Sequence, residues 1–266
     1  MARTVRVIAC LDVKDGRVVK GVRFQHLKDA GTPATLAQYY SRHGADEVAV
    51  LDLAASKENR STELGVVRQV VENATAPVSA GGGVRTVEDV LALLEAGAGT
   101  VFIGTEAYQN PGLVAAAAER FGSAVVGVSI DARRITPGTD AFVDAEGDGE
   151  ADLKFELTTH GGSQGAGVDA VAFAKEMASE GAGVILLNSV DQDGVQGGYD
   201  LELVSAVASA LDIPVIASGG AGKPEDFVAA AQAGADAVLG ASVFHSGKVS
   251  IEGVKNALEA AGFTTL

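Results

Sequence analysis

PVIASGGAGKPEDFVAAAQAGADAVLGASVFH, Pro214 to His245, is the stretch on which the fold turns. It reads as a short apolar strand, a glycine-rich turn, an amphipathic helix, a second apolar strand and a turn of small residues. Amides at Gly219, Gly220 and Gly222 have no Cβ to keep an anion away. The helix that starts after Lys223-Pro224 adds its positive end. A bare turn at a strand end, followed by a helix start, is a place to hold a phosphate.

The stretch occurs twice. PVSAGGGVRTVEDVLALLEAGAGTVFIGTEAY, Pro77 to Tyr108, aligns with it without a gap at a constant offset of 137. Gly82-Gly83 matches Gly219-Gly220, Glu88-Asp89 matches Glu225-Asp226, and Thr105 matches Ser242. The same offset pairs Asp52 with Ser189. Self-similarity of this length describes two copies of one half, at about 1–122 and 123–266, each offering one phosphate cradle.

Working outward, strand-like runs followed by turns and helical patterns recur eight times. The strands are expected at Val5–Leu11, Glu47–Leu53, Pro77–Ala80, Thr100–Gly104, Ala124–Ile130, Val184–Ser189, Pro214–Ser218 and Ala237–Gly240. Eight βα units with near-continuous apolar strands predict a single closed (β/α)8 barrel built from two duplicated half-barrels. An open doubly wound sheet is the alternative, which a four-plus-four repeat disfavours. The 266 residues suit one such domain.

Barrel chemistry sits at the C-terminal strand ends. The first strand runs into Asp12 and the fifth into Asp131, so two carboxylates face one mouth. Such a pair divides into an acid and a base when its surroundings push the two pKa values apart. After Asp12 comes VKDGRVVKGVRFQHLKDAG, with a tight turn at Asp15-Gly16. A hairpin over 13–20 would bring Lys20 to the mouth, with 21–31 as a mobile flap.

Composition narrows the partners. A net charge of −15 argues against nucleic acid and against an anionic membrane surface. No apolar run reaches a membrane span, and MARTVRVIACLDV has no signal-peptide layout, so a cytoplasmic enzyme is expected. The single Cys10 excludes a disulfide framework within the chain. No two of His26, His43, His160 and His245 have metal-ligand spacing, and no cofactor fingerprint occurs. The second half carries 18 extra residues after the fifth strand, including DAEGDGEAD, Asp144–Asp152. That segment imitates a calcium loop but has Phe155 where the bidentate Glu belongs, so a solvated hairpin tip is expected.

Taken together, ACLDVKDGRVVKG (9–21), HLKDAG (26–31), IDARR (130–134), THGG (159–162), SVDQDGVQGGYD (189–200), IASGGAGKPEDF (216–227) and ASVFH (241–245) resemble the cyclase subunit family of imidazole glycerol phosphate synthase over nearly the whole chain. The resemblance implies a barrel that takes a bis-phosphate substrate across its mouth. Ammonia from a partner glutaminase, delivered through the barrel, splits it into imidazole glycerol phosphate and aminoimidazole carboxamide ribotide. The family's catalytic aspartates fall on Asp12 and Asp131, and its flap lysine on Lys20. Its phosphate contacts fall on Gly82, Gly83 and Thr105 at one end, and on Asp193, Gly194, Gly219, Gly220, Ala241 and Ser242 at the other, and Gly104, next to Thr105, is expected at the substrate site.

Departures from that pattern cluster away from the cradles. Ala54 replaces a threonine, Gly104 an asparagine, Val195 a threonine and Gly99 an aspartate of the glutaminase face. The charged ring at the ammonia entrance falls on Arg6, Glu47, Thr100 and Val184, so two of four charges are absent. FIGTEAYQNP and LDLAAS also resemble the sister family of phosphoribosyl isomerases, which uses the same aspartate pair for an Amadori rearrangement without ammonia. An isomerase and a non-catalytic ligand-binding paralogue therefore stand beside the cyclase as alternatives.

Overall fold

A computed structural model describes residues 2–22, 25–135 and 154–266. The candidate calcium segment Asp144–Asp152 lies outside the described residues, as does the His26 side chain. Among the described residues, twelve strands form one sheet: β1 (Arg6–Lys14), β2 (Arg17–Val22), β3 (Gln25–Gly31), β4 (Glu47–Asp52), β5 (Val78–Gly81), β6 (Thr100–Ile103), β7 (Val126–Arg134), β8 (Phe155–Thr159), β9 (Gln164–Asp169), β10 (Val184–Ser189), β11 (Val215–Ser218) and β12 (Ala237–Gly240). Eight of them run parallel in the order β1-β4-β5-β6-β7-β10-β11-β12, and β12 pairs with β1. That last ladder, Arg6 to Ala9 against Ala237 to Gly240, closes the sheet into a barrel and removes the open-sheet alternative.

A closed sheet has two faces, and both are buried here. Residues such as Val7, Leu11, Val128 and Ile130 point outward into the large core beneath the helices. Residues alternating with them, such as Ile8, Phe102, Leu186 and Leu239, fill a smaller core inside the barrel. This is why the strands read as continuous apolar runs rather than as alternating ones. Helices between the strands are set by side-chain caps. Thr86 and Asp89 form a capping box at Val87–Glu95, and Asp169, Asp200 and Ser250 each accept an amide of the helix that follows.

Two strands continue beyond the barrel. β1 was expected to end at Leu11 and the fifth barrel strand at Ile130; instead β1 extends to Lys14 and β7 to Arg134. Each extension finds an antiparallel partner: Val13 and Lys14 pair with β2, in the hairpin expected over 13–20, and Asp131 to Arg134 pair with β8, which the sequence reading did not place. Residues 25–31, expected as a flap, form β3 along β2, held by a two-pronged pair between Arg17 and Asp29. Asp12 and Asp131 thus sit within strands, at the level where the parallel ladders give way to hairpins.

Candidate active site

The inward alternation of β1 places Ile8, Cys10 and Asp12 on the barrel axis, and that of β7 places Gly127, Ser129 and Asp131 there. Above them opens a cavity of about 380 Å³. Thirteen residues singled out from the sequence line it, though Gly222 does not: Asp12, Lys20, Asp131, Gly82, Gly83, Gly104, Thr105, Asp193, Gly194, Gly219, Gly220, Ala241 and Ser242.

The two aspartates live in different surroundings. The β1–β2 hairpin folds Lys20 back over the mouth, where its Nζ donates to Asp12 Oδ2 at 2.8 Å and to Asp193 Oδ1 at 3.1 Å. Burial opposes the charge of this ammonium, but Asp12 and Asp193 outweigh it and hold its pKa above the ordinary lysine value. Among the described residues, no lysine is in ion-pair contact with Asp131. Its Oδ1 accepts from Nδ2 of Asn188 at 2.9 Å, across the β7–β10 ladder. Burial pushes Asp131 up to about 6, Asn188 pulls it down, and the charges of Asp193 and Asp12 push it up again. One carboxylate is therefore tied to a cation, while the other is poised to take or give a proton near neutrality.

The glycine turns have a structural cause that the sequence alone did not display. Gly82 has φ +95°, and a Cβ there would lie 2.3 Å from the carbonyl oxygen of Asp52. At the equivalent Gly219, φ is +87° and the contact would be 2.7 Å from the carbonyl oxygen of Ser189. Close backbone packing therefore demands glycine whether or not a ligand is bound. Gly222 needs correcting as an open amide: its N–H donates to Asp226 Oδ2 at 2.8 Å, as does that of Lys223 at 3.0 Å. Asp89 takes the amides of Arg85 and Thr86 in the same way. The two longer helices cap themselves, and beside the Gly82-Gly83 and Gly219-Gly220 turns the cavity is also open to turns at Gly104-Thr105 and Ala241-Ser242. There the short helices Thr105–Gln109 and Ser242–His245 begin without a side-chain cap. The Thr105 hydroxyl accepts from the amide of His160 at 3.0 Å and from Ser56 at 3.3 Å, which fixes its direction.

The family described as histidine biosynthesis protein matches residues 6–250. Curated relatives named imidazole glycerol phosphate synthase subunit HisF align along almost their whole length. The Corynebacterium diphtheriae protein is 51% identical over 99% of this chain and 98% of its own. Those of Streptomyces coelicolor and Thermobifida fusca are 52% and 51% identical, with 98% and 99% of each chain covered.

This chain belongs to the HisF family.

Within this HisF-family barrel, several cavity residues escaped the sequence reading. Asn188 holds Asp131. The Cys10 thiol lies 3.5 Å from Asp12 Oδ1, and burial, then Asp12, pushes its pKa well above the ordinary thiol range. Lys57 lines the cavity near Gly161, and its charge helps to lower Asp131. The repeat held a usable signal for two of these. At the offset of 137, Asn188 stands opposite Leu51 and Lys57 opposite Gly194, so each breaks the duplication with a polar group in one half only. Among the described residues, no helix is long and apolar enough to cross a membrane, and no group of three or more His, Cys, Asp or Glu is placed to hold a metal ion.

Proposed function

We propose that this protein is the cyclase of histidine biosynthesis, acting on a phosphoribulosyl-formimino-aminoimidazole carboxamide ribotide and ammonia. Products are imidazole glycerol phosphate, aminoimidazole carboxamide ribotide and water. The observation that carries the reading is the pair Asp12 and Asp131 at the floor of one cavity whose two ends are glycine turns repeated at the offset of 137. A bis-phosphate spanning that cavity puts its centre over the aspartates. The HisF relatives carry the synthase name along their full length, which supports the same reaction.

Ammonia adds through its lone pair to the ribulosyl carbonyl carbon, and water leaves. The new nitrogen then closes on the formimino carbon as the bond to the aminoimidazole amine breaks. Protons must leave the attacking nitrogen and the ribulosyl CH2 carbon, whose deprotonation makes the new ring aromatic, and must reach the departing oxygen and amine. Asp131, held at about 6, takes the base role, and Asp12 with the Lys20 ammonium takes the acid role. Gly82, Gly83, Gly104 and Thr105 would hold one phosphate. Gly194, Gly219, Gly220, Ala241 and Ser242 would hold the other, with Asp193 keeping Lys20 in place. The duplicated halves at about 1–122 and 123–266 would supply one aspartate and one cradle each. The HisF relatives are named as subunits, and a glutaminase is the class of partner that generates ammonia.

Turnover of the phosphoribulosyl substrate by the isolated protein with ammonium salts tests the reading. Activity in the wild type, lost in both Asp12→Asn and Asp131→Asn, is the expected result. Wild-type turnover that survives both changes would remove the aspartates from the chemistry. No turnover beside tight substrate binding would return the isomerase to consideration.

A further inference from the structure

The loop after β4 carries Lys57 to the first cradle. Asp52 fixes this loop: its carboxylate accepts the amides of Ala54 and Ala55 and both Nη groups of Arg60. The loop also rests on the cradle itself. A Cβ on Gly83 would meet the carbonyl oxygen of Arg60 at 2.3 Å and the Cβ of Ala55 at 2.6 Å. Ser56 Oγ donates to Thr105 Oγ1 at 3.3 Å. Lys57 is the next residue after that contact.

The β8–β9 turn meets the same hydroxyl from another side, because the amide of His160 donates to Thr105 Oγ1 at 3.0 Å. A Cβ on Gly161, the next residue, would lie 3.3 Å from Cε of Lys57 and 3.5 Å from its Nζ. The ammonium therefore sits between two segments that both touch Thr105, and Lys57 lines the cavity. Among the described residues, the cationic side chains lining that cavity are Lys14, Lys20, Lys57 and Arg85. Lys20 is bound to Asp12 and Asp193, Arg85 donates to the carbonyl of Asn59 at 3.0 Å, and Lys14 stands on the β1–β2 hairpin opposite Arg17. Among the described residues, no carboxylate lies within ion-pair distance of Lys57. Glu106, in the helix Thr105–Gln109, lines the same cavity and repels an anion at that end.

We propose that Lys57 is the counter-ion of the phosphate held at the Gly82-Gly83 and Thr105 end, and that it sets the affinity of that end for a dianion. This rests on the cyclase reading above. Backbone amides and one hydroxyl give a phosphate hydrogen bonds but no full positive charge, and Glu106 adds a negative one. A lysine ammonium is a compact charge with three donors on a flexible stem, so it reaches the phosphate without altering the cradle. The repeat marks Lys57 as a property of one end. At the offset of 137 it stands opposite Gly194, whereas at the other end Lys20 is tied to Asp193, the neighbour of Gly194.

The test is calorimetric titration of the wild type, Lys57→Gln and Lys57→Arg without ammonia. The ligands are the phosphoribulosyl bis-phosphate, imidazole glycerol phosphate and aminoimidazole carboxamide ribotide. Each product carries one phosphate and reports on one end. Lys57 is exposed, so its replacement leaves the core untouched. Lys57→Gln should weaken the bis-phosphate and one product about tenfold and leave the other product within about twofold. Lys57→Arg should restore most of the loss, and added sodium chloride should narrow the gap. In turnover on ammonium chloride, Lys57→Gln should raise KM about tenfold and keep kcat. Unchanged affinity in Lys57→Gln, or equal weakening of both products, would overturn the proposal and leave the cyclase reading intact. A wild type that binds the bis-phosphate through Lys57 but does not turn it over would remove the cyclase reading and keep the counter-ion. A wild type that binds neither substrate nor product would overturn both.

Discussion

Asn188 Nδ2 donates to Asp131 Oδ1 at 2.9 Å, between directly paired positions of β7 and β10. The bond favours the carboxylate against burial, the main force pushing it up to about 6. Replacing Asn188 with leucine leaves burial unopposed. The rising limb of the kcat/KM profile should move upward from near 6 by about one pH unit. A limb that stays in place in Asn188→Leu would separate Asn188 from the base.

Removal of the Asp131 charge should stabilise the fold. The sign follows from the direction of the shift. A carboxyl raised to about 6 in the folded protein is protonated in both states at low pH and costs folding free energy only where it ionises. Asp131→Asn should therefore be more stable than the wild type above pH 6, by on the order of 2 kcal/mol. That advantage should fade as pH falls from 6 towards 4. Urea midpoints at pH 4.5 and pH 8 measure it, and an equal difference at both would contradict the account.

Lys20 separates two buried carboxylates, Asp12 and Asp193. Lys20→Met leaves both charges without their shared cation, which should cost on the order of 3 kcal/mol and raise KM for the bis-phosphate. A variant as stable as the wild type at pH 8 would mean that the carboxylates find another partner.

Backbone contact at the cradles predicts a graded series. Gly82→Ala places its Cβ 2.3 Å from the carbonyl of Asp52, and Gly219→Ala places it 2.7 Å from that of Ser189. Both should lose roughly 1–3 kcal/mol, Gly82→Ala the more. Gly65, in the helix Leu64–Asn73, has nothing within 4 Å of its added Cβ. Gly65→Ala should instead gain about 0.5–1 kcal/mol. Thermal unfolding of the three variants checks the order.

The barrel was legible because its signals are local and repeated. Gly82-Gly83 and Gly219-Gly220 punctuate equivalent turns, and the apolar runs are buried on both faces, so neither depends on knowing the closure. The hairpins β2–β3 and β8–β9 were harder to read. Arg17 and Gln164 belong to short strands whose partners extend past the barrel, and their polar, exposed faces lack the apolar run that marks the other strands. Gly222 was misread because its amide is claimed by Asp226, a bond that composition does not display.

The sequence by itself determined the eight βα units, their duplication, the positions of Asp12 and Asp131, and the glycines at both ends of the mouth. These follow from periodicity, chain direction and backbone freedom, which act over a few residues. Only the tertiary structure decided that Lys20 bridges Asp12 to Asp193, that Asn188 holds Asp131, and that Phe102 stands between Gly81 and Gly127 in the inner core. Each of these joins strands or loops far apart in the chain, and their register is set by closing the sheet on itself.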